Sequence, residues 1–378
     1  SYGASSNLLL FNGFAVQNNI KANSLGYQAS QMELQQAKDN LTLNVILAYL
    51  NVLSAEDILE SSRNQRTVTS KQVDRLDILN QSGAIPPSQY YDLKGQFAND
   101  EIAVADNIAA LETAKLNLVQ LLNIPYDTAM EVERLPGDAF NINYDVTPES
   151  VYATALKQFA QIKAVHLRTE SAAKIIRSLQ GGLYPSLYFS GNIGSNYSSA
   201  ATQALFANSV EVPTKDYVSV NGTQYSVISK QNNYTSQKIT YGNQLSNNLS
   251  TTFYLGLSIP IFNAFQVRSK VKLAKVDLKN NELVEANTKT LLQQSIERAY
   301  VNLTNTSNKY KILLDQVNSF SESFRAAEVR FNSGAITSVD YLIAKNNLDR
   351  TNTNLITSKY DFVLRAKILD YYAAKPLW

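Results

Sequence analysis

Two stretches of the chain alternate apolar residues with polar or small ones. Over 249–262 the odd positions Phe253, Leu255, Leu257, Ile259 and Ile261 are apolar, while Thr252, Tyr254, Gly256, Ser258 and Pro260 are small, polar or mixed. Over 186–197 Leu187, Phe189 and Ile193 fall on one face, and Ser186, Ser190, Asn192 and Asn196 on the other. Leu8 and Leu10 against Asn7 form the stub of a matching strand at the chain start. Because Ser1 then falls inside a strand, the natural N-terminus is expected to lie upstream of it. A period of two predicts β-strands. Their length, about ten residues, suits a tilted crossing of a bilayer core, although a half-buried strand of a soluble sandwich carries the same pattern.

Elsewhere the period is that of a helix. From Val16 to Asn80 there is no proline and one glycine, Gly26, and apolar residues recur at helical spacing, as at Leu41, Val45, Ala48 and Val52. Val267 to Phe331 repeats this with neither proline nor glycine. At about 1.5 Å per residue such a helix is a rod of roughly 100 Å, a length that calls for coiled-coil or bundle packing. Shorter return helices are predicted over Ser88–Leu122 and Ser338–Ala374, and another over 149–182, after a turn region around Pro136 and Pro148.

The two halves are copies of one unit. Leu10-Phe11-Asn12-Gly13-Phe14 returns 251 residues later as Ile261-Phe262-Asn263-Ala264-Phe265. The same ungapped offset carries Ala48-Tyr49-x-Asn51 onto Ala299-Tyr300-x-Asn302, and Ser82-Gly83-Ala84-Ile85 onto Ser333-Gly334-Ala335-Ile336. Register held this far marks a duplicated unit that runs from strand to long helix, glycine turn and returning helix. In the turns, Gly83 and Gly334 suit the left-handed residue that closes a helix. Pro86-Pro87 presets the next helix, and Thr337 with Asp340 resembles a capping box with Asp in place of the usual Glu or Gln. A helical hairpin explains the glycines by itself. The matching Ser, Ala and Ile leave a partner-binding role open.

Residues 198–248 make a connection of roughly 50 residues rich in Asn, Ser, Thr, Gly and Tyr. Loops that long are rare in compact domains and regular on the outer side of membrane barrels. The sequons at Asn196, Asn221, Asn233 and Asn248 are read as chance in so Asn- and Thr-rich a stretch. Lys and Arg number 34 against 32 Asp and Glu, so no global basic field draws nucleic acid or a membrane surface. With no cysteine there is no disulfide, thiolate metal site or cysteine nucleophile. No run of 18 apolar residues occurs, so no transmembrane helix is expected. The single histidine, His166, is read as a surface or packing residue. Phosphate loops, zinc spacings and nucleophile elbows are absent from the sequence. Gly181-Gly182 before Pro185 reads as a helix end. No catalytic residue, metal or cofactor is therefore expected, and no enzyme.

With these motifs the chain resembles the TolC family of trimeric outer-membrane channels. The resemblance rests on the junction Pro260-Ile261-Phe262-Asn263 and its counterpart Leu9–Asn12, the Ala-Tyr-x-Asn steps and the Ser-Gly hairpin turns, and it extends over all 378 residues. It implies a mainly α fold with a β part: a long antiparallel α-helical barrel of coiled-coil hairpins, continuous with a transmembrane β-barrel shared by a homotrimer. The implied layout is an incomplete barrel strand at 1–11, then a periplasmic hairpin at 12–135 with its tip near 82–88. An equatorial segment and helix follow at 136–185, then barrel strands at 186–262 with an external loop at 198–248, and a second hairpin at 263–378 with its tip near 333–339.

The implied function is a passive exit duct of a tripartite efflux pump or type I secretion system. It would sit in the bacterial outer membrane, reach into the periplasm and be gated at the helix tips. Its partners would be a periplasmic adaptor (a membrane fusion protein), an inner-membrane pump and outer-membrane lipid, with no nucleic acid. Carried over, Ser82, Gly83, Ala84, Ile85, Ser333, Gly334, Ala335 and Ile336 become the adaptor-facing tips. Asp340 matches one aspartate of the gating constriction, Ile343 stands where a second often lies, and Gln89 is the equivalent place in the first copy. That pattern implies a single acidic ring beside an apolar one. Leu8, Leu10, Leu187, Phe189, Ile193, Phe253, Leu255, Leu257, Ile259 and Ile261 would face lipid. The chain departs from the family by a longer second external loop and by lacking the first strand and first equatorial helix. A soluble coiled-coil scaffold or adaptor with a small β-domain is the rival reading.

Overall fold

The computed structural model describes residues 1–136 and 146–375. Its elements are β1 (Tyr2–Asn12), α1 (Ala15–Gln81), α2 (Pro87–Leu122), α3 (Pro148–Gln158), α4 (Ala160–Gly181), β2 (Ser186–Ser195), β3 (Thr202–Val220), β4 (Thr223–Lys238), α5 (Tyr241–Asn247), β5 (Ser250–Ser258), α6 (Gln266–Asn332) and α7 (Ser338–Tyr372). They divide into a β unit, Ser1–Lys21 with Ala173–Lys275, and a helical unit, Ala22–Ala172 with Val276–Trp378.

The duplication holds in backbone detail. Helices α1 and α6 are each 67 residues long, with both ends displaced by the sequence offset. Two consecutive left-handed residues precede or open each helix: Gly13 (φ 64°) and Phe14 (61°) in one copy, Ala264 (51°) and Phe265 (61°) in the other. The same edge-to-face rings brace each junction, Phe11–Phe14 at 5.3 Å and Phe262–Phe265 at 5.7 Å. Glycine is required in the first copy because a Cβ on Gly13 would lie 2.6 Å from the Gly181 carbonyl oxygen.

In the β unit, β1, β2 and β5 form an antiparallel sheet in the order β1-β2-β5. Cross-strand rows Leu8–Phe189–Leu255, Phe11–Leu187–Leu257, Ser6–Gly191–Phe253 and Ala4–Ile193–Thr251 share one face, because side chains alternate along each strand. Ser5, Asn192 and Thr252 lie in a row of the opposite face, where the Tyr188 ring covers Gly256 and leaves no room for a Cβ. Seven of the ten residues expected to face lipid therefore lie together: Leu8, Leu187, Phe189, Ile193, Phe253, Leu255 and Leu257.

The other three depart from the expectation. Leu10 is the extra residue of a bulge between Leu9 and Phe11, and Phe11 takes the place opposite Leu187. Ile259 and Ile261 lie beyond the end of β5 at Ser258. Pro260 between them has no N–H with which to continue the ladder.

Residues 198–248 are also more ordered than a loop. Strands β3 and β4 pair from Thr202↔Lys238 to Val220↔Thr223. They turn at Asn221 (φ 51°) and Gly222 (φ 86°), the residue pair favoured where both central positions of a hairpin turn are left-handed. Irregularities after Phe206 and Pro213 break the alternation that would have revealed the strands.

In the helical unit, the helix expected over 149–182 is two. Phe159 (φ −66°, ψ 124°) leaves helical geometry between α3 and α4 and packs with Ile162, Leu292, Ile296 and Leu369. Helix α1 holds an 18-residue window with a mean hydropathy of 1.3. Its apolarity serves two packing faces. Ile46, Leu50 and Leu53 meet Tyr360 and Val363 of α7, while Ala48, Val52 and Leu59 meet Leu111 and Leu118 of α2. Within the region expected to turn between Pro136 and Pro148, residues 137–145 lie outside the described residues.

Candidate functional site

The two hairpin turns close in the same way. Gly83 N–H donates to Asn80 O and Ala84 N–H to Leu79 O, at 3.0 and 2.8 Å; Gly334 and Ala335 repeat this on Phe331 and Arg330 at 3.1 and 2.8 Å. Both glycines are left-handed, with φ of 70° and 75°. A Cβ on either would meet nothing within 4 Å, so backbone conformation and not space selects glycine.

The turns lie side by side. Arg75 donates from Nη2 to Asn332 O at 2.6 Å, and Ser338 Oγ donates to Asp92 Oδ2 at 2.8 Å. Beneath them Leu76, Leu93, Phe331 and Tyr341 form a core, and Ile85 and Ile336 pack against it. Packing thus accounts for the matching isoleucines. Ser82, Gly83, Ala84, Ser333, Gly334 and Ala335 stay exposed.

Thr337 and Asp340 complete the capping box. Asp340 N–H donates to Thr337 Oγ1 at 3.2 Å, while Asp340 Oδ2 accepts from Thr337 N–H at 3.2 Å and from its hydroxyl at 2.8 Å. These bonds, the hydroxyl's foremost, hold the Asp340 carboxyl below the usual carboxylate range. Asp340 and Ile343 are exposed and Gln89 half-buried. Among the described residues, no hydrogen bond joins Asp340 to Gln89.

One turn further along α7 lies a cluster the sequence did not reveal. Lys345 is 2% exposed. Its Nζ stands 3.1 Å from Asp100 Oδ2 on α2 and 2.7 Å from Asp349 Oδ2. Asp100 also accepts from Thr69 Oγ1 and, at 2.7 Å, from Gln96 Nε2. Burial raises the Asp349 carboxyl against the pull of Lys345. Three helices, α1, α2 and α7, therefore meet around one buried cation. The i,i+4 spacing of Lys345 and Asp349 is a sequence signal, but nothing local marks Asp100 as their partner. His166 is a surface residue, with Nδ1 3.3 Å from Glu285 Oε1.

In the β unit the apolar face is open: Leu8 is 56% exposed, Phe253 71% and Leu257 63%. Aromatic rings bound it at both ends. Tyr197 and Tyr241 meet at 5.1 Å near Tyr2, and the Phe11–Phe14 and Phe262–Phe265 pairs lie at the end from which the long helices start. Aromatic girdles of this kind flank the apolar band of membrane barrels.

An apolar sheet face between aromatic belts, in a duplicated strand-and-hairpin chain, has counterparts among known proteins. Residues 151–369, more than half of the chain, match the model of the family described as outer membrane efflux protein. The chain belongs to this family. As an outer membrane efflux protein it has its place in the outer membrane. It is 22% identical over 334 residues to outer membrane protein TolC of Escherichia coli strain K12, covering 87% of this chain and 60% of that protein. The chain thus spans about three fifths of the length of the TolC proteins it matches. Its fold is that of a membrane protein from Pseudomonas aeruginosa (TM-score 0.77, 18% identity, 98% of this chain and 75% of that one). The same fold occurs in the Campylobacter jejuni CmeC outer membrane channel (TM-score 0.73, 14% identity, 98% and 70%).

Proposed function

We propose that three copies of this chain form a passive duct through the outer membrane, serving as the exit of a tripartite efflux pump or a type I secretion system and performing no chemical step. The observation that carries this reading is the sheet. Its apolar face is exposed and its outer strands, β1 and β5, have open edges. In lipid every backbone N–H and C=O needs a partner, so these edges must meet further strands, and three copies around one axis supply them. The soluble scaffold reading would instead require that face to be covered within the chain.

In this arrangement residues 1–11 and 186–262 contribute the barrel wall, with the β3–β4 hairpin outside the cell. Residues 12–135 and 263–378 supply the periplasmic hairpins, and 136–185 the equatorial segment. The exposed turn residues Ser82–Ala84 and Ser333–Ala335 meet the adaptor. Asp340 lines the constriction, with Ile343 forming an apolar ring and Gln89 a neutral one. Three carboxylates around one axis repel each other and recruit cations. Single-channel recording in planar bilayers tests this: Asp340→Asn should change conductance or its sensitivity to cations. If neither changes, Asp340 is not at the gate; if the unaltered protein does not conduct, it is not a duct.

A further inference from the structure

The near balance of charge along the chain hides a local excess. Where the long helices begin, the β unit packs three segments together: the start of α1, the end of α4 with its link to β2, and the junction into α6. Ser178 Oγ donates to Ala15 O at 2.8 Å, and a Cβ on Gly182 would touch Val267 at 3.4 Å. These segments, 15–21, 173–185 and 259–275, carry Lys21, Lys174, Arg177, Arg268, Lys270, Lys272 and Lys275 and not one Asp or Glu. Lys174 is half-buried and the other six are exposed. Among the described residues, none of the seven forms an ion pair within the chain. The only carboxylates of the whole β unit, Glu211 and Asp216, are on β3, whose sheet is separate.

The position of this collar matters as much as its charge. The Arg268 guanidinium lies over the Phe265 ring, 5.7 Å from its centroid, and Phe265 belongs to the aromatic belt at that end of the sheet. Lys272 and Lys275 follow Arg268 at i+4 and i+7, which places all three on one helix face. A ring at the boundary with long cationic side chains stacked below it has the layout of a side-chain set reaching lipid phosphates.

We propose that this collar binds the phosphodiester headgroups of anionic phospholipids in the leaflet on the helix side of the sheet. The inference rests on the sheet spanning the membrane, and its chemistry is charge complementarity: seven cations within a few helical turns repel one another unless anions screen them. Phospholipid is the anion source that meets an aromatic belt at its own depth.

The test uses the whole purified protein, reconstituted into nanodiscs holding equal amounts of phosphatidylglycerol and phosphatidylcholine. Native mass spectrometry then counts the lipids it retains. The unaltered protein should retain phosphatidylglycerol preferentially, and added salt should erode the preference. Each cation near an anionic surface is worth roughly fivefold in partitioning. Arg268→Gln, Lys272→Gln and Lys275→Gln together should therefore cut the preference by on the order of tenfold or more, while Arg268→Lys, Lys272→Arg and Lys275→Arg keep it. Equal retention of the two lipids, or an unchanged preference in the glutamine variant, overturns the proposal alone. Failure of the unaltered protein to enter nanodiscs overturns the spanning reading and this proposal with it.

Discussion

Lys345 sits between two carboxylates, nearly out of reach of solvent, and so its removal leaves the buried Asp100 and the half-buried Asp349 without a cation. Breaking a buried ion cluster by deleting one partner costs about 3–5 kcal/mol, whereas replacing every member by apolar groups is often neutral. Lys345→Met alone should lower the thermal unfolding temperature clearly in far-ultraviolet circular dichroism. Combining it with Asp100→Leu and Asp349→Leu should restore most of the loss. A single variant that melts with the unaltered protein would show that the cluster contributes nothing. This site was illegible because its third member is on another helix. The cationic collar was missed for another reason: a net charge of +2 over the whole chain averages seven local cations away.

At the scale of elements, the two copies can be compared position by position. Gly13 and Ala264 hold the same left-handed place, but only Gly13 is pressed by Gly181 and Tyr184. Gly13→Ala adds a methyl at 2.6 Å from a carbonyl oxygen to a backbone strain of about 1–2 kcal/mol, and should reduce the yield of protease-resistant protein severely. Ala264→Gly should change stability by less than about 1 kcal/mol. Equal sensitivity at both positions would remove the close approach as the cause. The long helices and their turns were readable because period and offset agree over long stretches, and the strand faces around Phe189 and Leu255 because their alternation is unbroken. The elements that broke a pattern were not. Phe159 ends a helix with no glycine or proline beside it, the bulge at Leu10 moves Phe11 to the apolar face, and the β3–β4 ladder loses its alternation at two irregularities.

For the molecule as a whole, open strand edges and an uncovered apolar face make the single chain an unfinished object in lipid. Native mass spectrometry from detergent should show a species of three times the mass of the single chain. Channel activity recovered from a species of one chain would refute that assembly. The pairing of β1 with β2 joins Tyr2 to Ser195 and Asn12 to Ser186, with helices α1 to α4 between them in the chain. Contacts so distant along the chain are slow to form, because loop closure is unfavourable until the partner is in place. During synthesis β1 therefore emerges well before β2, and the edge that β2 will cover waits unpaired while the helices, whose bonds are local, take shape. That interval is when the young chain is most exposed to aggregation, and when a holding chaperone would serve it best.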